Sequence, residues 1–192
     1  MIGRRKFAGG SSGGTPAATL IIDPRAQAVG MELVSIDPMT RGGQLGISDG
    51  LFVACLVYAP RAATLTKLGL VVEVASADMI PDTAMGIYTS AGVLIQPTGD
   101  MSASFTTTGF KEGTLAASVA VTKGLYYIGL IGNTSAGVPK ITGTYIPPTS
   151  IDFVAIGGNR ASVFTAANLT LPASFNPATA TINSGAYLFT AR

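Results

Sequence analysis

From Leu51 onward the apolar residues recur with a period of two. Leu68, Leu70, Val72 and Val74 share one parity, while Lys67, Gly69, Val71 and Glu73 take the other, as expected of a strand with one face on a core. Next come Ala84-Met85-Gly86-Ile87-Tyr88-Thr89, then Ser90-Ala91-Gly92, then Val93-Leu94-Ile95. Two extended runs joined by three residues, with a glycine placed for a positive φ, predict a hairpin. A second hairpin is predicted from Leu115–Val121 and Leu125–Ile131, joined through Thr122-Lys123-Gly124. Further strands are predicted over Lys140–Ile146, Ile151–Ile156 and Ala186–Thr190, between clusters of Pro, Gly and Asn. The helical candidate, Ala161–Ala167, is too short and too rich in Ser, Val and Thr to be convincing. Many short strands with frequent turn signals predict an all-β fold, an antiparallel β-sandwich of jelly-roll type.

The pattern before Leu51 is different. Arg4, Arg5, Lys6 and Phe7 lead into Ala8-Gly9-Gly10-Ser11-Ser12-Gly13-Gly14, so residues 1–17 read as an extended basic Gly/Ser arm without the apolar stretch of a secretory signal. Residues 18–50 form a lead-in with one short strand, Ala18–Ile22, stopped by Asp23-Pro24. Its packing, on the same sheet or on a neighbouring chain, is open at this stage. The jelly roll is assigned to residues 51–192. No window supplies the roughly 18 consecutive apolar residues of a membrane helix, and the uncharged stretch Ala161–Ala191 is broken by Asn, Thr, Ser and Pro.

Composition sharpens this reading. At 192 residues, folding buries roughly 70% of the unfolded chain's surface, enough for a core without metals or disulfides. Charged residues are only 11% of the chain, under half the usual soluble share of about 25%. The net charge of +2 gives no polyanion-binding field, and three basic residues at the N-terminus are too few for specific nucleic-acid binding. The single cysteine, Cys55, lies in the apolar run Leu51–Ala59 and is expected to pack as a small hydrophobe. Neutral strand surface in this amount suits self-association, since charged residues are depleted at interface cores. A closed homo-oligomer, trimeric or pentameric, is the expectation.

Candidate chemistry is sparse. With no histidine in the chain, the usual Ser/His and Cys/His nucleophile arrangements cannot be built. Ser118 and Lys123 are near in sequence but at different heights on a strand and its turn. Paired carboxylates for glycoside cleavage could come from Asp78 with Asp82 or Asp100 with Glu112, yet acids between strands more often cap loops, and the chain has no Trp for a sugar platform. Asn133-Thr134-Ser135 and Asn168-Leu169-Thr170 match the glycosylation pattern and read as loops. Of the adjacent Tyr126 and Tyr127, a strand turns one inward and the other outward. No catalytic, cofactor-binding or metal-ligating residue is assigned.

Four stretches in order carry a family resemblance: Thr66-Lys67-Leu68-Gly69-Leu70-Val71-Val72, the run Met85–Ile95, Phe105-Thr106-Thr107-Thr108-Gly109-Phe110, and Lys123-Gly124-Leu125-Tyr126-Tyr127-Ile128-Gly129-Leu130. This texture resembles the jelly-roll modules of tailed bacteriophage virion proteins, of minor-tail, fibre or head-decoration type, over residues 60–132. The resemblance implies a non-enzymatic structural subunit, located in the virion and partnered by other capsid or tail proteins. Arg4, Arg5, Lys6 and Phe7 would be its anchoring arm. The alternative is a receptor-binding module that attaches the particle to host glycan or protein through exposed loops, with Asp82, Asn133 and Thr134 as candidate contacts. A carbohydrate-acting enzyme and a cell-surface-layer or appendage subunit are the readings from other classes.

Overall fold

A computed structural model describes residues 32–34, 43–145, 161–165, 170–178, 181–182 and 185–192. The arm, the predicted strand Ala18–Ile22 and the predicted strand Ile151–Ile156 lie outside these residues. The described strands are β1 (Leu33–Val34), β2 (Gly43–Gly46), β3 (Leu51–Ala59), β4 (Ala63–Val74), β5 (Ala84–Thr89), β6 (Leu94–Pro97), β7 (Gly109–Val121), β8 (Gly124–Gly132), β9 (Lys140–Tyr145), β10 (Ala161–Thr165), β11 (Thr181–Ile182), β12 (Gly185–Tyr187) and β13 (Phe189–Ala191). A short 3-10 turn, Ser102–Thr106, is the helical element among them.

Among the described residues all of the strand pairings are antiparallel. One sheet contains β2-β9-β4-β7, and the facing sheet contains β3-β8-β5-β6. Successive strands from β2 to β9 therefore distribute between two four-stranded layers, each mixing early and late strands, which is the jelly-roll arrangement. The sequence expectation of an antiparallel jelly-roll sandwich holds. Strand β2, from within the 18–50 segment, pairs with β9 of the same chain, Gly43 opposite Gly143 and Gly46 opposite Lys140.

The core lies between the layers. Leu68, Leu70 and Val72 of β4 face Val53, Cys55 and Val57 of β3, Met85 and Ile87 of β5, and Ile128 and Leu130 of β8, all buried. Each such aliphatic side chain of Val, Leu or Ile size contributes about 1.5–3 kcal/mol by leaving water. The β4 parity read from sequence holds through Val72; Val74, at the strand's end, is 38% exposed.

The first predicted hairpin is present: Ile87 pairs with Gln96, and Gly92 takes φ +82° in the loop. The second is not. β7 pairs with β4, whereas β8 pairs with β3 and β5 in the opposite layer. Thr122 and Lys123 are an arch that carries the chain from one sheet to the other. Leu115, Val119 and Val121 of β7 thus meet Ile128 and Leu130 of β8 across the core, so the two strands bury facing sides instead of sharing a hydrogen-bonded edge. The Tyr126 hydroxyl accepts from Thr122 N–H at 3.1 Å and steadies the arch.

Beyond β9 the chain adds to both layers. Ala161–Thr165 forms β10 on the free edge of β3, with Ala161 opposite Cys55 and Thr165 opposite Leu51; the segment tested as a helix is a strand because a paired edge is available to it. β13 inserts between β1 and β4, placing Phe189 opposite Leu70 and fully burying its ring.

Candidate functional site

Two surfaces gather polar or aromatic residues beyond the core. The first is the end of the sandwich where the β2–β3, β4–β5, β6–β7 and β8–β9 connections meet. Thr134 N–H donates to Asp49 Oδ1 at 2.9 Å, Ile80 N–H donates to the Asn133 carbonyl at 3.1 Å, and Met101 N–H donates to the Thr83 carbonyl at 2.7 Å. These bonds join all four connections. Asp78 organises the β8–β9 loop: its carboxylate accepts from Gly137 N–H at 2.9 Å and its carbonyl from Ser135 N–H at 2.9 Å. A Cβ on Gly137 would lie 2.6 Å from that carboxylate, so glycine is what lets the loop close on it. The Thr134 hydroxyl donates to the Gly137 carbonyl at 2.6 Å.

Three candidate contact residues separate on this geometry. Asp82 is exposed and has φ 70°, a left-handed conformation at the tip of the β4–β5 loop. Asn133 and Thr134 are corrected: both are buried, at 0% and 6% exposure. They hold the loops to each other. Asn133 N–H donates to the Thr83 hydroxyl at 3.2 Å beneath the β4–β5 loop, so neither side chain presents itself to a receptor, and Asn133 is not sterically open to a glycan. The other sequon, at Asn168, lies outside the described residues, as do Arg4, Arg5, Lys6 and Phe7.

Of the paired carboxylates, Asp100 and Glu112 have structural partners, as Asp78 does, while Asp82 is exposed. Asp100 accepts from Ser102 N–H at 3.1 Å and from the Ser102 hydroxyl at 2.7 Å, opening the 3-10 turn. Glu112 takes Lys67 at 3.6 Å and the Arg192 guanidinium. Among the described residues no three His, Cys, Asp or Glu side chains cluster as a metal-binding group, and no helix is long and apolar enough to cross a membrane. Ser118 and Lys123 are both exposed.

Replacing Asp78 with alanine removes the acceptor for Gly137 N–H at an exposed site and is expected to cost about 1 kcal/mol. Asp78→Asn, which keeps an acceptor, costs less. Faster amide exchange at Ser135 and Gly137 in the alanine variant is the measurement; unchanged exchange there would show that the carboxylate does not hold the loop.

The second surface was not singled out from sequence. It is the outer face of the β3-β8-β5 layer, where Phe52, Ala54, Leu56, Tyr88, Tyr127 and Ile131 form a second buried cluster. Its cover is the segment 170–178. Phe175 sits 5.5 Å from Phe52, 5.3 Å from Tyr88 and 5.2 Å from Tyr127 between ring centroids, in tilted or edge-to-face geometry. The backbone of this strap is tied to the hairpin: Leu94 N–H donates to the Ala173 carbonyl and Phe175 N–H to the Gly92 carbonyl, at 2.9 and 2.8 Å. The Tyr88 hydroxyl donates to the Pro172 carbonyl at 3.2 Å. Burial raises the pKa of both Tyr88 and Tyr127 above the ordinary phenol value.

Three glycines make room here. A Cβ at Gly129 would fall 2.6 Å from the Phe52 ring, one at Gly86 would fall 2.8 Å from Leu94 and 3.1 Å from Leu171, and one at Gly92 would strike the Phe175 carbonyl. The sequence does contain a signal for this second face. Leu51–Ala59 is apolar at both parities, the mark of a strand buried on both sides, but periodicity does not say what covers the outer one. Tyr126 packs toward the main core and Tyr127 under Phe175, so the pair splits across the sheet as expected and neither ring is left as a bare surface anchor. No family model matches the chain, and no curated protein matches its sequence.

Proposed function

We propose that this protein is a non-enzymatic structural subunit of a tailed bacteriophage particle, exposed on the head or tail and anchored by its N-terminal arm. The observation that carries the reading is where the four resembling stretches lie. They are β4, the β5–β6 hairpin, the turn into β7, and β8, consecutive parts of one jelly roll in the order of the virion modules they resemble. The bonded loop end supports the same reading: its acids cap turns and join loops, as suits a shell element built to hold shape. A receptor-binding role draws support from one feature, the exposed Asp82 at the tip of that end. It predicts that isolated protein competes with particle adsorption to cells, which a shell ornament would not do.

The test is removal of residues 1–16. The β domain is expected to remain folded by circular dichroism while incorporation into particles is lost. Undiminished incorporation would refute the anchoring role. A strict monomer by light scattering that binds no particle would overturn the subunit reading itself.

A further inference from the structure

Apart from the loop end and the strapped face, the outer side of the β4–β7 pair sets an exposed aromatic ring beside a cluster of charges. Leu68 and Leu70 of β4 point into the core, so Gly69 between them points out. On β7, Phe110 stands opposite Val71 and Glu112 opposite Gly69. Side chains two apart on a strand share a face, which puts the Phe110 ring and the Glu112 carboxylate side by side, their backbones roughly 7 Å apart. The ring leans across onto β4: a Cβ on Gly69 would fall 2.8 Å from its Cζ and 3.0 Å from its Cε2. Glycine thus leaves the room in which the ring lies along the sheet. Covering a strand glycine accounts for the side of the ring that is buried; Phe110 is nonetheless 46% exposed.

The neighbouring charges are unbalanced. Lys67 Nζ lies 3.6 Å from Glu112 Oε2, and the Arg192 guanidinium bonds the same oxygen. The two cationic side chains are 39% and 45% exposed, against 19% for the acid between them. An ammonium and a guanidinium together carry about eight donors, and one carboxylate about four acceptor sites, so donors are left over at the surface. Glu73, the other acid on this face, lies beyond Val71 and accepts from the Thr142 hydroxyl.

The backbone of this face is closed. β4 has β7 on one side and β13 and β9 on the other, and Leu115 of β7 bridges to Thr98 at its outer edge. Strand addition by a peptide needs an unpaired edge, so a ligand here is held by side chains from above a flat sheet. A flat apolar ring with spare N–H donors along one side matches a sugar that presents C–H groups on one face and a carboxylate on its rim. Charge-assisted hydrogen bonds from Lys and Arg to a carboxylate are the stronger kind.

We propose that the outer face of the β4–β7 pair is a binding site for an acidic sugar, with the sugar ring stacked on Phe110 and its carboxylate taken by Lys67 and Arg192. Glu112 is the positioning residue that draws the two cations together beside the ring. This goes beyond the subunit reading, which stands or falls on incorporation into particles.

The experiment titrates the isotope-labelled full chain with tetragalacturonate and with a hyaluronan tetrasaccharide, using maltotetraose as the neutral control and tetraglutamate as the acidic peptide control, and follows backbone amide shifts. At least one acidic sugar is expected to move the Gly69, Phe110, Glu112 and Thr190 amides saturably, while the two controls leave them in place. Phe110→Leu keeps an apolar cover over Gly69 but removes the aromatic face, and is expected to lose most of the binding with the fold unchanged by circular dichroism. Lys67→Gln is expected to weaken binding about tenfold, the equivalent of one lost charge-assisted hydrogen bond. Absence of saturable shifts at these amides with both acidic sugars would overturn the site, as would full binding by both variants. Equal binding of maltotetraose would overturn the role of the cations, and equal binding of tetraglutamate would overturn the assignment to sugar.

Discussion

Phe175→Ala is expected to lower the free energy of unfolding by about 3–5 kcal/mol, the range for removing a buried phenylalanine ring. The ring is 9% exposed and touches three other rings. Its loss empties the centre of the second cluster and releases the strap's main side-chain anchor. Against a typical domain stability of 5–15 kcal/mol, that is a large share. Denaturant unfolding followed by tyrosine fluorescence suits the measurement, because the chain has 6 Tyr and no Trp. Phe175→Leu, which retains most of the apolar volume, is expected to cost clearly less. A loss below about 1 kcal/mol for the alanine variant, in the range of an ordinary surface change, would show that the strap does not cover this face.

Gly129→Val is the second large effect, and two terms oppose each other. Valine suits a strand better than glycine, a difference that spans about 1 kcal/mol in host proteins. The added Cβ, however, would lie 2.6 and 2.7 Å from two carbons of the Phe52 ring and 2.9 Å from Tyr88. Forcing buried rings aside costs about 1–3 kcal/mol and at times more, and those rings are the wall on which Phe175 packs. Steric conflict wins, so destabilisation of about 2 kcal/mol is expected. Combining Gly129→Val with Phe52→Ala should recover part of that loss, since the intruding methyls then occupy space the ring has left. A neutral or stabilising Gly129→Val would show that the rings are free to move and that the packing beneath the strap is not fixed.

Much of the architecture was legible in the residue pattern. The alternation at Leu68, Leu70 and Val72 gave the inward face of β4, and Ser90-Ala91-Gly92 gave the first hairpin with its positive-φ glycine. What failed is equally specific. Thr122-Lys123-Gly124 has the composition of a hairpin turn, yet it serves an arch between layers, because a short polar connection suits both and local sequence does not say whether the next strand pairs at an edge or crosses the core. Asn133 and Thr134 have the composition of an exposed loop, but they are buried because β2–β3, β4–β5 and β8–β9 converge on them from residues as distant as Asp49. The strap was invisible for a similar reason: Leu171 and Phe175 sit in a neutral, proline-marked stretch whose partners are more than 40 residues earlier.

The order of residues by itself determined the class of fold: period-two patterning, glycine at turns and scarcity of charge commit the chain to layered strands, since those are local properties of backbone and side chain. The tertiary structure alone decided which layer each strand joins, which polar residues lie inside the loop end, and that the outer face of the β3-β8-β5 layer carries an aromatic cluster covered by the chain's own strap. Those outcomes depend on long-range packing, in which a residue's environment is set by neighbours that sequence proximity does not identify.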